Sequence, residues 1–101
     1  MYNVHMKIKF TWDLKKAASN EAKHKVSFEE ASTIFHNFPL EVFHDPENSE
    51  NEDRYIAAGF SDLQRVLLVV HCENPTGTEI RIISARKATK KEQTNIFGGV
   101  K

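Results

Sequence analysis

The residues of this chain best suited to chemistry gather near its C-terminus, where Arg81, Arg86, Lys87, Lys90 and Lys91 share their stretch with a single acid, Glu92. Positive charge at that density suits the phosphates of a nucleic-acid backbone. A second pair, Lys23-His24, falls at the end of an expected helix, where the macrodipole favours positive charge and an imidazole can serve as an acid or a phosphate contact. Basic side chains and a histidine suffice for metal-free RNA cleavage. In that reaction a 2′-hydroxyl is deprotonated and attacks the adjacent phosphate in line, while cations stabilise the charge that builds on the phosphoryl oxygens. The plainer alternatives are a histidine that only caps helix carbonyls and charged runs that are only solvated surface.

Not every cation has equal standing. Arg81 and Arg86 lie five apart, so a regular strand would turn them to opposite faces unless it bends. Arg86, at the strand end, is therefore the stronger phosphate contact of the two. Arg54 and Arg65 each open an expected strand and could extend a positive rim; Arg54 has Glu50, Glu52 and Asp53 beside it and is as readily an ion-pair partner. Glu92 is expected to be spent on a helix cap.

Other chemistries lack support. The histidines (His5, His24, His36, His44, His71) show neither HExxH nor HxH spacing, and the lone Cys72 cannot supply a zinc cluster, so no metal is expected. There is no phosphate-cradling glycine loop and no GxSxG, and no cofactor is implied. Cys72, after Val66-Leu67-Leu68-Val69-Val70-His71, reads as a small buried hydrophobe.

With 101 residues, 40% apolar and 28% charged, the chain has the make-up of one ordinary globular domain, expected over 6–97 with an N-terminal extension at 1–5 and a frayed tail at 98–101. No apolar run approaches the roughly 20 residues of a membrane span, and no signal-peptide core opens the chain, so a cytoplasmic location is expected. Formal net charge is zero, from 14 basic and 14 acidic residues. The charges are nevertheless segregated: Glu41, Asp45, Glu47, Glu50, Glu52 and Asp53 form an acidic stretch without a lysine or arginine, opposite in sign to 81–91.

The elements that must position these groups follow from periodicity. Ile8, Phe10 and Trp12 alternate with Lys7, Lys9 and Thr11, which predicts a half-buried strand. Asp13 then caps a helix over 14–24 with Leu14, Ala18, Ala22 and Val26 recurring every four residues and Glu21 placed to pair with Lys25. Ser27 and Glu30 have capping-box spacing for a second helix with Phe28, Ala31, Ile34, Phe35 and Phe38 as its apolar stripe, ended by Asn37 and Pro39. Strands are predicted over 40–44, 54–60, 65–71 and 78–86, and Thr89 with Glu92 opens a last helix that ends at Gly98-Gly99. Helices followed by a run of strands predict an α+β fold: a twisted antiparallel sheet of about four strands, a helical hairpin on one face and a short C-terminal helix, in the order β-α-α-β-β-β-α.

Phe10-Thr11-Trp12-Asp13, Lys16-Ala17, Asn20, Lys23-His24 and Val26-Ser27-Phe28-Glu29-Glu30-Ala31, followed at a distance by Arg81-Ile82-Ile83-Ser84-Ala85-Arg86-Lys87-Ala88-Thr89 and Glu92, resemble the BrnT family of bacterial toxins. Arg54, Tyr55, Ala57, Gly59 and Ser61 also resemble the family's strand after its acidic loop. The resemblance implies a RelE-like, metal-independent endoribonuclease toxin of a type II toxin–antitoxin pair. Such a toxin inhibits translation by cleaving RNA, on or off the ribosome, and is neutralised by a BrnA-like ribbon-helix-helix antitoxin through which alone it reaches operator DNA. It implies Lys23, His24, Arg81 and Arg86 as the catalytic set, with Arg54, Arg65, Lys87 and Lys90 as further RNA contacts. The competing expectation is a toxin-like subunit without catalysis that acts only with its antitoxin in operon regulation.

Overall fold

The computed structural model describes residues 7–49 and 51–98. The expected extension at 1–5, and the tail beyond Gly98, lie outside them. Among the described residues the order is β1 (Lys9–Thr11), α1 (Leu14–His24), α2 (Phe28–Thr33) with a 3-10 turn at Ile34–His36, β2 (Leu40–His44), a 3-10 turn at Pro46–Asn48, β3 (Tyr55–Phe60), β4 (Val66–Glu73), β5 (Glu79–Lys87) and α3 (Lys90–Phe97). The strands form one sheet in the order β1-β5-β4-β3-β2. The α+β class holds, but the sheet has five strands and is mixed: β1 runs parallel to β5, because the chain returns to that edge only after both helices and three strands.

Each face of the sheet has its own cover. α1 and α2 lie on one side over a core of Val26, Phe28, Ala31, Ile34, Ala57, Leu67, Val69, Ile80, Ile82 and Ala85, with Phe10 and Trp12 packed against it. Trp12 meets Phe28 edge to face at 5.9 Å and fixes the corner between strand and helix. α3 lies on the other side, where Ile96 and Phe97 pack on Ala58, Val66, Leu68 and Ala88. At Gly59 a Cβ would stand 3.1 Å from Leu40 Cδ1 and 3.3 Å from Ile34 Cβ, so a side chain there would have to push Leu40 or Ile34 back by a few tenths of an ångström.

The helix faces differ from the expected stripes. Asp13 does cap α1, accepting from the Lys16 backbone N–H at 3.0 Å, but Leu14 is 80% exposed and Ala18 and Ala22 face solvent. The inward face runs through Ala17, Asn20 and His24, at the three- and four-residue spacing of a helix side. Lys25 takes the left-handed conformation that ends α1 (φ 61°), and its Nζ bonds the Ala22 carbonyl in place of Glu21. In the second helix Phe38 is 92% exposed, since regular helix stops at Thr33 and the chain turns away through Asn37.

Candidate functional site

One irregularity in β5 decides which side chains can meet. Val70 pairs with Ser84 but His71 pairs with Ile82, which leaves Ile83 as the extra residue of a bulge. Side chains directly opposite in an antiparallel pair share a face, so Arg86 (opposite Leu68) and Arg81 (opposite Cys72) both project on the α3 side. The expected opposite-face geometry is overturned because the unpaired residue shifts the alternation by one. Along this face Ile56, Val70 and Ser84 stay partly exposed beside the buried Leu68.

A cavity of about 100 Å³ opens there, lined by His24, Ile56, Leu68, Val70, Ser84, Ala85 and Arg86. Its floor is apolar and its rim polar. His24 arrives from α1 because β1 pairs with β5 only as far as Arg81, which leaves the rest of that edge to the helix. Asn20 takes the place of a neighbouring strand: its Oδ1 accepts from the Ala85 N–H at 3.0 Å and its Nδ2 donates to the Ala85 carbonyl at 2.8 Å and the Val26 carbonyl at 3.0 Å. The buried amide thereby ties the last turn of α1 to the residue before Arg86. Among the described residues neither the His24 ring nor the Ser84 hydroxyl has a hydrogen-bond partner.

Arg86 is held in place from α3. Its Nη1 and Nη2 donate to the Glu92 carboxylate at 2.9 and 2.8 Å, and Nη1 also reaches the Lys87 carbonyl at 3.2 Å. A guanidinium carries five N–H donors, so the Nε–H and one Nη2–H stay available for a ligand. Glu92 completes the expected capping box with Thr89 as well, accepting from the Thr89 N–H at 2.9 Å. The bidentate arginine, and then the Thr89 N–H, lower its carboxyl from 4.5 to about 2. An acid so low is an anion that orients Arg86, and is too weak a base to accept a proton during turnover.

The remaining expected site residues scatter. Lys23 is exposed next to His24 and does not line the cavity. Arg81 binds the Glu52 carboxylate, and its Nη2 lies 3.7 Å from Cys72 Sγ. Among the described residues Arg54, expected to answer the acidic stretch, makes no ion pair with Glu52 or Asp53, and Glu50 lies outside them; Glu52 is held by Arg81, while Asp53 stands 3.1 Å from His44 Nε2. Cys72 is half-buried on the site face and donates to Glu52 Oε2 at 3.4 Å, so it is no core hydrophobe. Burial first, and then Glu52, push its thiol above the ordinary range. Lys87 lines a separate open cleft of about 300 Å³ with Phe60, Gln64, Arg65 and Gln93, and Lys90 is exposed at the start of α3.

Arg65 is committed to the fold. Its Nε donates to Glu30 Oε2 at 2.9 Å, its Nη2 to Glu30 Oε1 and to the Lys25 carbonyl at 3.0 Å, and Ser61 Oγ donates to the same carboxylate at 2.7 Å. Glu30 therefore does not complete a capping box; only the Ser27 half is made, at 3.0 Å. The Arg65 hydrogen bond holds the Glu30 carboxyl below the usual carboxylate range against the opposing effect of burial. Among the described residues no three His, Cys, Asp or Glu side chains converge where a metal ion could be held, and no helix is long and apolar enough to cross a membrane.

Residues 12–92 match the family model for the ribonuclease toxin BrnT of type II toxin–antitoxin systems. The chain belongs to the BrnT family. Its fold resembles the 1.1 Å crystal structure of the Brucella abortus ribonuclease toxin BrnT with a TM-score of 0.62 and 23% identity, over 83% of this chain and all of that one. No curated protein matches. As a member of this family the chain is a ribonuclease toxin with a cognate antitoxin as its partner.

The sequence marks Asn20, Ser84 and Glu92 as members of the family motif, with Glu92 also a cap, and Glu52 as part of the acidic stretch, but it assigns none of them a place at the site. No spacing rule marks Ser84 or Glu52, since a bulge and a loop of a distant segment bring them to the face.

Proposed function

We propose that this BrnT-family toxin is a metal-independent endoribonuclease that cleaves RNA at the His24–Arg86 cavity, inhibits translation in the cytoplasm, and is neutralised by a ribbon-helix-helix antitoxin of the BrnA type. In this proposal the fold is RelE-like and the antitoxin alone contacts operator DNA. The observation that carries it is the meeting, at one cavity, of a histidine that has no hydrogen-bond partner among the described residues and an arginine pre-oriented by a carboxylate, brought from distant parts of the chain.

The chemistry follows from those two groups. Arg86 offers its free N–H donors to the non-bridging oxygens of the scissile phosphate, where negative charge grows during in-line attack. The 2′-oxygen bonds to phosphorus as the bond to the 5′-oxygen breaks, leaving a 2′,3′-cyclic phosphate and a 5′-hydroxyl. His24, at the negative end of the α1 dipole, donates the proton taken up by the 5′-oxygen, and the proton of the 2′-hydroxyl leaves to water. The apolar floor of Ile56, Leu68 and Val70 suits a ribose or base face. Lys23, Lys87 and Lys90 add positive charge around the path of the strand, and Arg81 and Arg54 bind backbone farther along β5.

The test uses toxin purified free of antitoxin, with RNA in EDTA. The native chain cleaves; Arg86→Ala lowers the rate about 10²- to 10³-fold while costing only about 1 kcal/mol of stability from its lost pair with Glu92, and His24→Ala lowers it about 10²- to 10⁴-fold with unchanged melting. Cleavage that needs a divalent cation refutes the metal-free mechanism. RNA left intact, alone and with ribosomes, favours instead the non-catalytic antitoxin-bound subunit, a reading to which the carboxylate-paired arginines Arg65, Arg81 and Arg86 lend some support.

A further inference from the structure

A second charged cluster lies on the same face, at the opposite end of β5 from the cavity. Arg81 is centred in it, with the carboxylates of Glu52, Glu73 and Glu79 around it. One residue before β3, Arg54 alternates onto the side of Ile56 and Ala58, which is also the side of Cys72, and its positive charge, like that of Arg81, bears on the Cys72 thiol. The Glu52 carboxylate sits in this cluster, gripped through both oxygens by Arg81 Nη2 and receiving the Cys72 S–H at 3.4 Å. Beside it is a cleft of about 280 Å³ lined by Thr11, Glu52, Cys72, Glu73, Asn74, Glu79 and Arg81. Glu73 is turned to His71 Nε2 at 3.0 Å, and Glu79 bounds the cluster with negative charge at its far end.

The Glu52 carboxylate takes up the Nη2 donors of Arg81 that would otherwise be open to a phosphate oxygen. The pair is easily opened. Both side chains are more than 40% exposed, and ion pairs so placed contribute about 1 kcal/mol or less. A polyanion releases its own counterions on binding and so competes well with a single, solvated carboxylate. Arg81 and Arg86 stand roughly 15 Å apart along the strand, so an RNA backbone that meets both must follow β5.

We infer that Arg81 and Arg54 form a subsite for a second phosphate of the bound RNA, outside the scissile position, and that Glu52 fills this subsite in the free toxin as an internal competitor. The inference rests on the ribonuclease reading. It assigns Arg81 to strand binding rather than to the chemical step, and it gives one residue of the acidic 45–53 loop a restraining function.

The experiment measures binding of a 2′-O-methylated oligoribonucleotide, which lacks the attacking hydroxyl, by fluorescence anisotropy over a series of KCl concentrations. Glu52→Gln binds about 3- to 10-fold more tightly than the native chain, and its dependence of log K on log salt steepens by about 0.7, the value for one added phosphate contact on a single strand. In the Glu52→Gln background, Arg81→Ala removes both the gain and the added slope. Unchanged or weaker binding by Glu52→Gln, at a native melting temperature, overturns the inference, and so does a gain that survives loss of Arg81, since that marks a diffuse charge effect. If Glu52→Gln melts lower, Glu52→Ser is measured against the same two criteria. Binding without the predicted shift defeats only the subsite; absence of binding and cleavage in every variant defeats the ribonuclease reading and the subsite with it.

Discussion

Arg65→Ala separates a residue that holds the fold from one that holds RNA. The substitution removes the Nε and Nη2 donors from Glu30 and strips the Lys25 carbonyl of its partner, leaving a carboxylate whose side chain is 7% exposed with only the Ser61 hydroxyl. Breaking one side of a buried pair costs about 3–5 kcal/mol. The Arg65 side is 31% exposed, so water can enter the space it leaves, which places the loss near the lower end, about 3 kcal/mol. For a domain of this size that lowers the melting temperature by about 12 °C or more. The assay is thermal unfolding by circular dichroism at several pH values, with RNA binding measured in parallel below the transition. Glu30 has its carboxyl depressed in the fold, so the stabilisation from the pair is present above the ordinary carboxylate range and fades as pH falls through it. The gap between native and Arg65→Ala should therefore narrow in acid, where a neutral Glu30 no longer suffers from the missing charge. Replacing both residues by apolar ones, Glu30→Leu with Arg65→Met, recovers much of the loss. A variant that melts within about 2 °C of native and binds RNA more weakly would refute the structural assignment and restore Arg65 as an RNA contact.

Two further perturbations act on the supports of the cavity. Glu92→Gln frees Arg86 and weakens the cap of α3; because the Glu92 carboxyl is lowered from 4.5 to about 2, its contribution is present above pH 4.5 and lost between there and pH 2, so the variant should show a flatter decline of stability over that range, by about 1 kcal/mol at this one-third-exposed site, in acid titrations followed by fluorescence. Asn20→Ala leaves the Ala85 N–H and carbonyl without their buried partner and should cost about 2–3 kcal/mol in urea unfolding; hydrogen exchange at Ala85 that stays as slow as in the native chain would speak against the amide as the closure of that edge.

Local signals wrote much of the fold into the sequence. The Asp13 and Thr89 caps, the span of α1 over 14–24 and the strand over 40–44 lie where residue chemistry within a few positions dictates them. What failed was whatever a distant partner decides. The small residues Ala18 and Ala22 suggest an apolar side of α1, yet the sheet takes the side carrying Asn20, because an amide can satisfy the open edge of β5 and an alanine cannot. Phe38 has the spacing of a core residue but lies past the point where the helix stops. The count of strands slipped because alternation identifies a strand without saying which neighbours it pairs with, and the parallel pairing of β1 with β5 joins residues about 70 positions apart.

The charges of the site show the same limit in a form that bears on function. Along the chain, acidic 41–53 and basic 81–91 look like opposite poles; in space Glu52 lies on Arg81, Glu92 on Arg86 and Glu30 on Arg65, across 29, 6 and 35 positions. These three arginines are thus locally neutralised, whereas Lys23, Lys87 and Lys90 have no carboxylate within ion-pair distance among the described residues. Long-range attraction of a polyanion then falls chiefly to the lysines, and the paired arginines serve at close range, where a fixed guanidinium gives direction rather than mere charge. The Ile83 bulge makes that division useful, since without it Arg81 and Arg86 would not face the same strand of ligand.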